Sequence, residues 1–256
     1  MLLYVSRRIR SGHSTIVANH NLNSLQLVRS DREMQDFYEM ADLVELDSLP
    51  MIFWGKLMGH PVRRFHRCTY LDWRETFWRT AVQENWRVFY LGALPGVADK
   101  GADVVRIRHP GAEIAVRHGY FDMTPDSAEA AEVLAEIQAF APHVVLVGMG
   151  MPRQEVWVAR HAEHLPGCAL FTVGAAFDYE AGVQRPAPRW MGYCGFEWLY
   201  RLLRDPRRLA RRYLFESFCV LPAMLADLRR AFAAKPMMPK PGAEASLIHT
   251  PDHTTP

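Results

Sequence analysis

The chain has 256 residues, 49% of them hydrophobic and 23% charged, with a formal net charge of +2. That mixture suits a soluble globular protein with a sizeable core, arranged as one domain plus an appendage. It excludes a chain that is basic throughout and built to coat nucleic acid. The four cysteines (Cys68, Cys168, Cys194 and Cys219) stand far apart with no CxxC pair, which fits a reduced cytosolic protein better than a disulfide framework or zinc site.

The opening "MLLYVSRRIR" carries too short an apolar run for a signal peptide, and no stretch approaches the roughly 18 apolar residues of a spanning helix. "STIVANHN" predicts a short strand ending in polar residues. Leu25, Val28, Met34 and Phe37 recur at roughly helical spacing and predict a helix over 23–41. "ADLVELDSLPMIFWGKLMG" reads as a strand, a turn at 47–50 and a helix, and 72–85 as a helix whose aromatic residues belong to the core. Residues 86–182 then alternate. "WRVFYLGA", "AEIAVRHGYF", "HVVLVGMG" and "CALFTVGAAFDY" read as strands. "GVADKGADVVRIRHP", "TPDSAEAAEVLAEIQAF" and "PRQEVWVARHAEH" read as helices, the second with Thr124 and Pro125 at its cap and first turn. Apolar strands alternating with amphipathic helices predict an α/β fold, a Rossmann-like and mostly parallel sheet covered by helices on both faces. After residue 182 the character changes. "FEWLYRLLRD" and "PRRLARRYLFESFCVL" predict two helices meeting at Asp205–Pro206, and from Lys235 a tail rich in Pro, Thr and Ala predicts disorder. The expected division is a core over 1–192, a C-terminal helical appendage over 193–234 and a disordered tail over 235–256.

Ligands of such sheets sit beyond the carboxyl ends of the strands. The glycines of "LGALPG" and "VGMGMP", Gly92, Gly148 and Gly150 among them, follow strands. They match neither GxGxxG nor a P-loop, so tight turns explain them as well as a diphosphate cradle of backbone N–H groups does. Gln154 and Glu155 fall in the first turn of a helix, where an acid is favoured anyway, so surface positions are the plainer reading. Asp47 is either a turn-former or a carboxylate at the ligand edge suited to general-base work. Asn19 and Asn21 raise the same choice. No histidine spacing suggests a metal site, and the absence of DxD argues against a metal-diphosphate site. The arginines are harder to treat as ordinary surface. Arg201, Arg204, Arg207, Arg208, Arg211 and Arg212 crowd together with Asp205 as the one acid among them, and i,i+4 pairs of like charge repel. Such a cluster expects an anion, and the apolar "YLFESFCVLPAML" beside it favours a membrane surface over nucleic acid.

Several motifs together resemble the WecG/TagA/CpsF family of bacterial glycosyltransferases. "GMGMPRQE" resembles its GxGxPKQE signature, "TVGAAFDYEAG" its GVGGxFDxxAG, and "HGYF" its DGYF. "APRWMGYCGFEWLYRLLRDPRRLARRY" is similar to APxWxxxxGLEWLYRLxxEPxRxxRRY, "RCTYLDW" to RVTGxDL, and "ADLVELD" to ADLVxxDG. The resemblance spans about 16–215. It implies a Rossmann-like core with a helical appendage. It also implies an inverting, metal-independent transfer of a sugar from a UDP-sugar to a polyprenyl-diphosphate-linked sugar, as in cell-wall, common-antigen and exopolysaccharide synthesis. No cofactor is expected. The family's base falls on Asp47 and its signature glutamine on Gln154. Its arginine and aspartate of RVTGxD fall on Arg67 and Asp72, and the appendage arginines thought to face the diphosphates on Arg201, Arg208 and Arg211 or Arg212. Asn19, Gly92, Gly148, Gly150 and Glu155 complete the expected substrate-binding set. The implied partners are a UDP-sugar, the lipid-linked acceptor and the inner face of the plasma membrane, with no nucleic acid, and homo-oligomerisation is left open. The chain departs from the family pattern at Ser48 and Tyr70, where glycines are usual, at Val17 for a threonine, and at Pro186, with Arg185 one position away. Two rivals remain at this level. One is a relative that binds UDP-sugar or lipid carrier with impaired catalysis, and the other is a basic-helix adaptor for membrane or nucleic acid.

Overall fold

The fold is taken from a computed structural model that describes residues 1–194, 196–204, 206–207, 210 and 221–233. The expectations for Arg208, Arg211 and Arg212, for most of the second appendage helix and for the tail lie outside the described residues.

The chain opens with helix α1 (Leu2–Arg10), which the sequence reading had not assigned, and enters β1 (Thr15–His20). The single helix expected over 23–41 is two, α2 (Leu22–Val28) and α3 (Arg32–Met40). The break has a local cause: the Asp31 carboxylate caps α3 by accepting from the N–H groups of Glu33 and Met34, which fixes a fresh helix start. Strand β2 (Leu43–Leu46), α4 (Leu49–Leu57) and α5 (Tyr70–Gln83) follow as expected, and Trp73, Phe77 and Trp78 are core residues.

Then come β3 (Arg87–Gly92), α6 (Val97–Arg108), β4 (Glu113–Arg117), α7 (Ala128–Phe140), β5 (Val144–Gly148), α8 (Arg153–His161) and β6 (Ala169–Thr172). The cap of α7 is Ser127, whose hydroxyl accepts from Ala130 N–H, rather than Thr124. The strand predicted over 168–179 stops at Thr172. Gly174 turns the backbone into the left-handed region at φ 54°, and the rest becomes helix α9 (Ala176–Glu180). Helices α10 (Arg189–Cys194), α11 (Glu197–Arg204) and α12 (Leu221–Ala233) make up most of the described part of the C-terminal region.

The six strands form one sheet in the order β2-β1-β6-β5-β3-β4, with every pairing parallel. Side chains alternate across it. Tyr90, Phe171, Trp73, Phe77, Trp78 and Phe177 pack on one face, and Phe89, Leu91, Phe37, Val133, Ile137 and Trp157 on the other. Burial on both faces is why β5 and β6 read as continuous apolar runs. Because the strands are parallel, all six carboxyl ends emerge along one edge, and the polar cleft opens there.

Candidate active site

A cavity of about 320 Å³ lies beyond the carboxyl ends of β2, β1, β6 and β5. Its lining includes Asn19 and Asn21 after β1, Glu45 and Asp47 from β2, Gly150 and Gln154 after β5, and Thr172 and Gly174 after β6. Helix α5 brings Asp72, and the C-terminal region brings Gly192 and Glu197.

Asp47 sits one residue past β2, where its backbone N–H continues the ladder to His20 O at 2.8 Å. Its Oδ1 accepts from Arg67 at 3.1 Å, and the same guanidinium nitrogen donates to Glu197 Oε2 at 2.5 Å. Arg67 is held beside β2 by a parallel bridge to Leu46 and by Cys68 N–H donating to Leu46 O. Burial works against its charge, but Asp47 and Glu197 outweigh that and hold the guanidinium above its ordinary value. One arginine therefore ties the end of the sheet to α11.

Gln154 is 1% exposed, which overturns the surface reading of this helix turn. Its Oε1 accepts from the N–H groups of Gly150 and Gly174, both at 3.2 Å, so one side chain joins the loops after β5 and β6. Its Nε2 donates to Glu155 Oε1 at 2.7 Å. Glu155 is wholly buried, its Oε2 has no hydrogen-bond partner, and burial pushes its carboxyl up to about 7. It does not line the cavity. Arg153 turns the other way and donates to Gly119 O and Phe121 O. Of the three polar residues in this turn, Gln154 alone faces the cleft.

Gly92 and Gly148 are register partners on β3 and β5 and lie outside the cavity lining. A Cβ on Gly92 would strike the Gly148 backbone, and one on Gly148 would strike Tyr90 Oη and Gly174 O. Their glycine identity serves close strand packing. Gly150 has φ 78° and does line the cavity. Asn19 is anchored through its backbone: its N–H donates to Thr172 Oγ1 at 2.9 Å and its carbonyl accepts from Tyr38 Oη at 2.7 Å. Asn21 caps α2, and Asp72 accepts from the Thr69 N–H and hydroxyl in a capping box, so both have structural work besides facing the cleft. Arg201 is on α11.

Glu45 is a wall residue that the sequence reading passed over. Its oxygens accept from Trp73 Nε1 at 3.2 Å and Cys68 Sγ at 3.6 Å. Burial, with the Asp47 charge adding, raises its carboxyl to about 7 against those two donors. The signal was present in the strand period: residues 45 and 47 fall on the same face. Behind the cleft, α9 is braced by Glu180, which is paired with Arg74 at 3.2 Å and Arg108 at 2.6 Å and accepts from Tyr70 Oη at 3.1 Å. That brace sets Asp178 and Tyr179 against the cavity.

Three of the departures from the family pattern fit this backbone, and the structure offers no account of Pro186. Ser48 is the N-cap of α4 at φ −156°, extended backbone that needs no glycine. Tyr70 fills a buried position and Val17 is core. Among the described residues no group of three or more metal-ligating side chains is placed to hold a metal ion. No helix among them is long and apolar enough to cross a membrane.

A doubly covered parallel sheet, with carboxylates, an arginine and an amide gathered at its carboxyl edge, is the build of a Rossmann-like group-transfer enzyme. The sequence model of the glycosyl transferase WecG/TagA/CpsF family matches residues 1–233, and the chain belongs to that family. It is a glycosyltransferase. Among its relatives are the N-acetylglucosaminyldiphosphoundecaprenol N-acetyl-beta-D-mannosaminyltransferases of Staphylococcus aureus strains MW2 and COL. Each is 27% identical over 207 residues, covering 77% of this chain and 79% of the relative.

Proposed function

We propose that this enzyme moves a sugar, with inversion, from a UDP-sugar to a polyprenyl-diphosphate-linked sugar at the inner face of the plasma membrane. The observation that carries the reading is the convergence of Asp47, Arg67, Gln154 and Glu197 on one cleft at the sheet's carboxyl edge. Asp47 removes the acceptor hydroxyl proton as that oxygen attacks the anomeric carbon from the face opposite UDP. Gln154 and Asn19 orient the sugars, and the N–H groups around Gly150 receive donor oxygens. The names of the Staphylococcus relatives support N-acetylglucosaminyl-diphosphate lipid as the acceptor class and an N-acetylated hexosamine as the sugar moved.

The charge of the cleft supports a role for the appendage, residues 193–234. Among the described lining residues five carboxyl groups (Glu45, Asp47, Asp72, Asp178 and Glu197) face one guanidinium, Arg67. At about 5 Å and an effective dielectric of about 20, two like unit charges repel by about 3 kcal/mol. A diphosphate bound beside carboxyl groups is favoured by nearby cations, and Arg201, Arg208, Arg211 and Arg212 are the dense supply in the sequence. The same arginines, with their apolar neighbours, suit an anionic membrane surface. The test is to incubate the full chain with a panel of UDP-sugars and a polyprenyl-diphosphate-N-acetylglucosamine acceptor, with and without EDTA, and weigh the products. One donor should add one sugar mass in both conditions. No product from any donor overturns the reading.

A further inference from the structure

Glu45 occupies a position that the ADLVxxDG pattern leaves open, and no role assigned so far uses it. Its place is nonetheless central. In the β1–β2 register Asn19 faces Glu45 and His20 faces Leu46, and the Asp47 N–H bond to His20 O carries the ladder one step further. Glu45 and Asp47 therefore point to one face, and both line the cavity. They are held from opposite directions. Trp73 of α5 and Cys68 of the preceding loop grip the Glu45 oxygens, whereas Asp47 shares Arg67 with Glu197. With Arg67 bound to two other carboxylates, no arginine pairs with Glu45 among the described ion pairs.

We propose that Glu45 is the second proton acceptor of the transfer reaction, taking over the proton that Asp47 removes from the acceptor hydroxyl. This rests on the reading of Asp47 as base. The step balances. The acceptor O–H bond breaks and its oxygen forms the new bond to the anomeric carbon. The bond from that carbon to the UDP oxygen breaks, and its electron pair leaves on UDP. The proton passes from Asp47 to the Glu45 carboxylate and goes to solvent after product release. The charged and titratable groups around Glu45 are Asp47 just past its own strand, the Cys68 thiol of the loop before α5 and the N-terminal ammonium, with the Trp73 N–H of α5 as donor. Burial outweighs the donors and the ammonium and, with the Asp47 charge, brings the carboxyl to about 7. A proton acceptor poised near the working pH exchanges protons in both directions readily. Because the acceptor must be ionised, activity rises with pH through that range.

The experiment follows the kcat/KM of UDP release from pH 5.5 to 9 for the full chain, Glu45→Gln and Trp73→Phe, with UDP affinity and thermal midpoint recorded alongside. Glu45→Gln should move the rising limb down by roughly one pH unit or more and lower the plateau by about 10-fold. Trp73→Phe removes a donor to the ionised carboxylate, so the limb should move up. A limb at the same pH in all three chains overturns the proposal. If the intact chain transfers nothing, the transfer reading itself has failed, and the pairing is judged by carboxyl carbon NMR. There Glu45 should titrate near neutrality, with its midpoint falling in Asp47→Asn. A midpoint unmoved by that substitution overturns the coupling.

Discussion

Glu155→Gln should make the protein more stable at pH 8 and leave it nearly unchanged near pH 4.5. Glu155 is wholly buried, with its carboxyl raised from 4.5 to about 7. A raised acid binds its proton more tightly in the folded chain, so no penalty exists below the unfolded value. The penalty grows as pH climbs from 4.5 to about 7, then stays constant. At about 1.4 kcal/mol per pH unit, the buried charge costs about 3 kcal/mol above pH 7. The glutamine carbonyl can still accept from Gln154 Nε2, and the shift to about 7 already contains what that donor gives the charged form. The gain at pH 8 is therefore about 3 kcal/mol, or roughly 6–12 °C in the midpoint of a chain this size. Scanning calorimetry of both chains at pH 4.5 and 8 reads it directly. An equal difference at the two pH values, or a variant less stable at pH 8, would refute the claim that Glu155 carries a buried charge at pH 8.

Asp47→Asn should lower turnover by roughly 10²–10⁴-fold while UDP binding by calorimetry stays near that of the intact chain; near-normal turnover rejects its role as base. Gly148→Ala places a methyl against Tyr90 Oη and the Gly174 carbonyl, and should cost about 1–3 kcal/mol in denaturant titration. A neutral result there would mean the strands can part at no cost. Charge reversal at Arg208 and Arg211 should abolish transfer and weaken sedimentation with anionic liposomes, each basic residue near the surface adding about 1 kcal/mol. Full activity in that variant would remove the appendage arginines from the mechanism.

The sheet was legible in the sequence because strands buried on both faces must be apolar throughout, as "VVLVG" and "VFYLG" are. The break at Asp31 was missed because each half keeps its own three-residue spacing, Leu25 with Val28 and Met34 with Phe37, although the six residues from Val28 to Met34 are out of step with one continuous stripe; the cap at Asp31 starts the second helix afresh. The helix of α9 was hidden because "GAAFDY" continues an apolar run, and length was the cue that should have ended the strand. At the site, Asp47 and Gln154 were reached through family-like motifs, but the reason for Gln154 was not. Periodicity assigns a polar residue in a first helical turn to solvent, and tertiary contacts to Gly150, Gly174 and Glu155 reverse that. Glu45 was missed for the same reason: a polar residue in a four-residue strand looks like a solvent-facing alternate until the neighbours that cover it, Trp73 and Cys68, are known.

The position of β6 has a consequence for how the protein comes to be made. Thr15 pairs with Ala169, and Asn19 N–H reaches the Thr172 hydroxyl across 153 residues. Until β6 arrives, the sheet exists as two separate pieces, β2-β1 and β5-β3-β4, each with an open edge where the other will join. At synthesis rates of about 5–20 residues per second, β1 waits on the order of ten seconds or more for its partner. Contacts of such long sequence separation form late and slowly. The cleft straddles this seam, so a nascent or partly unfolded chain has no assembled binding site, and ligand binding should report on the joining of the two pieces rather than on the helices around them.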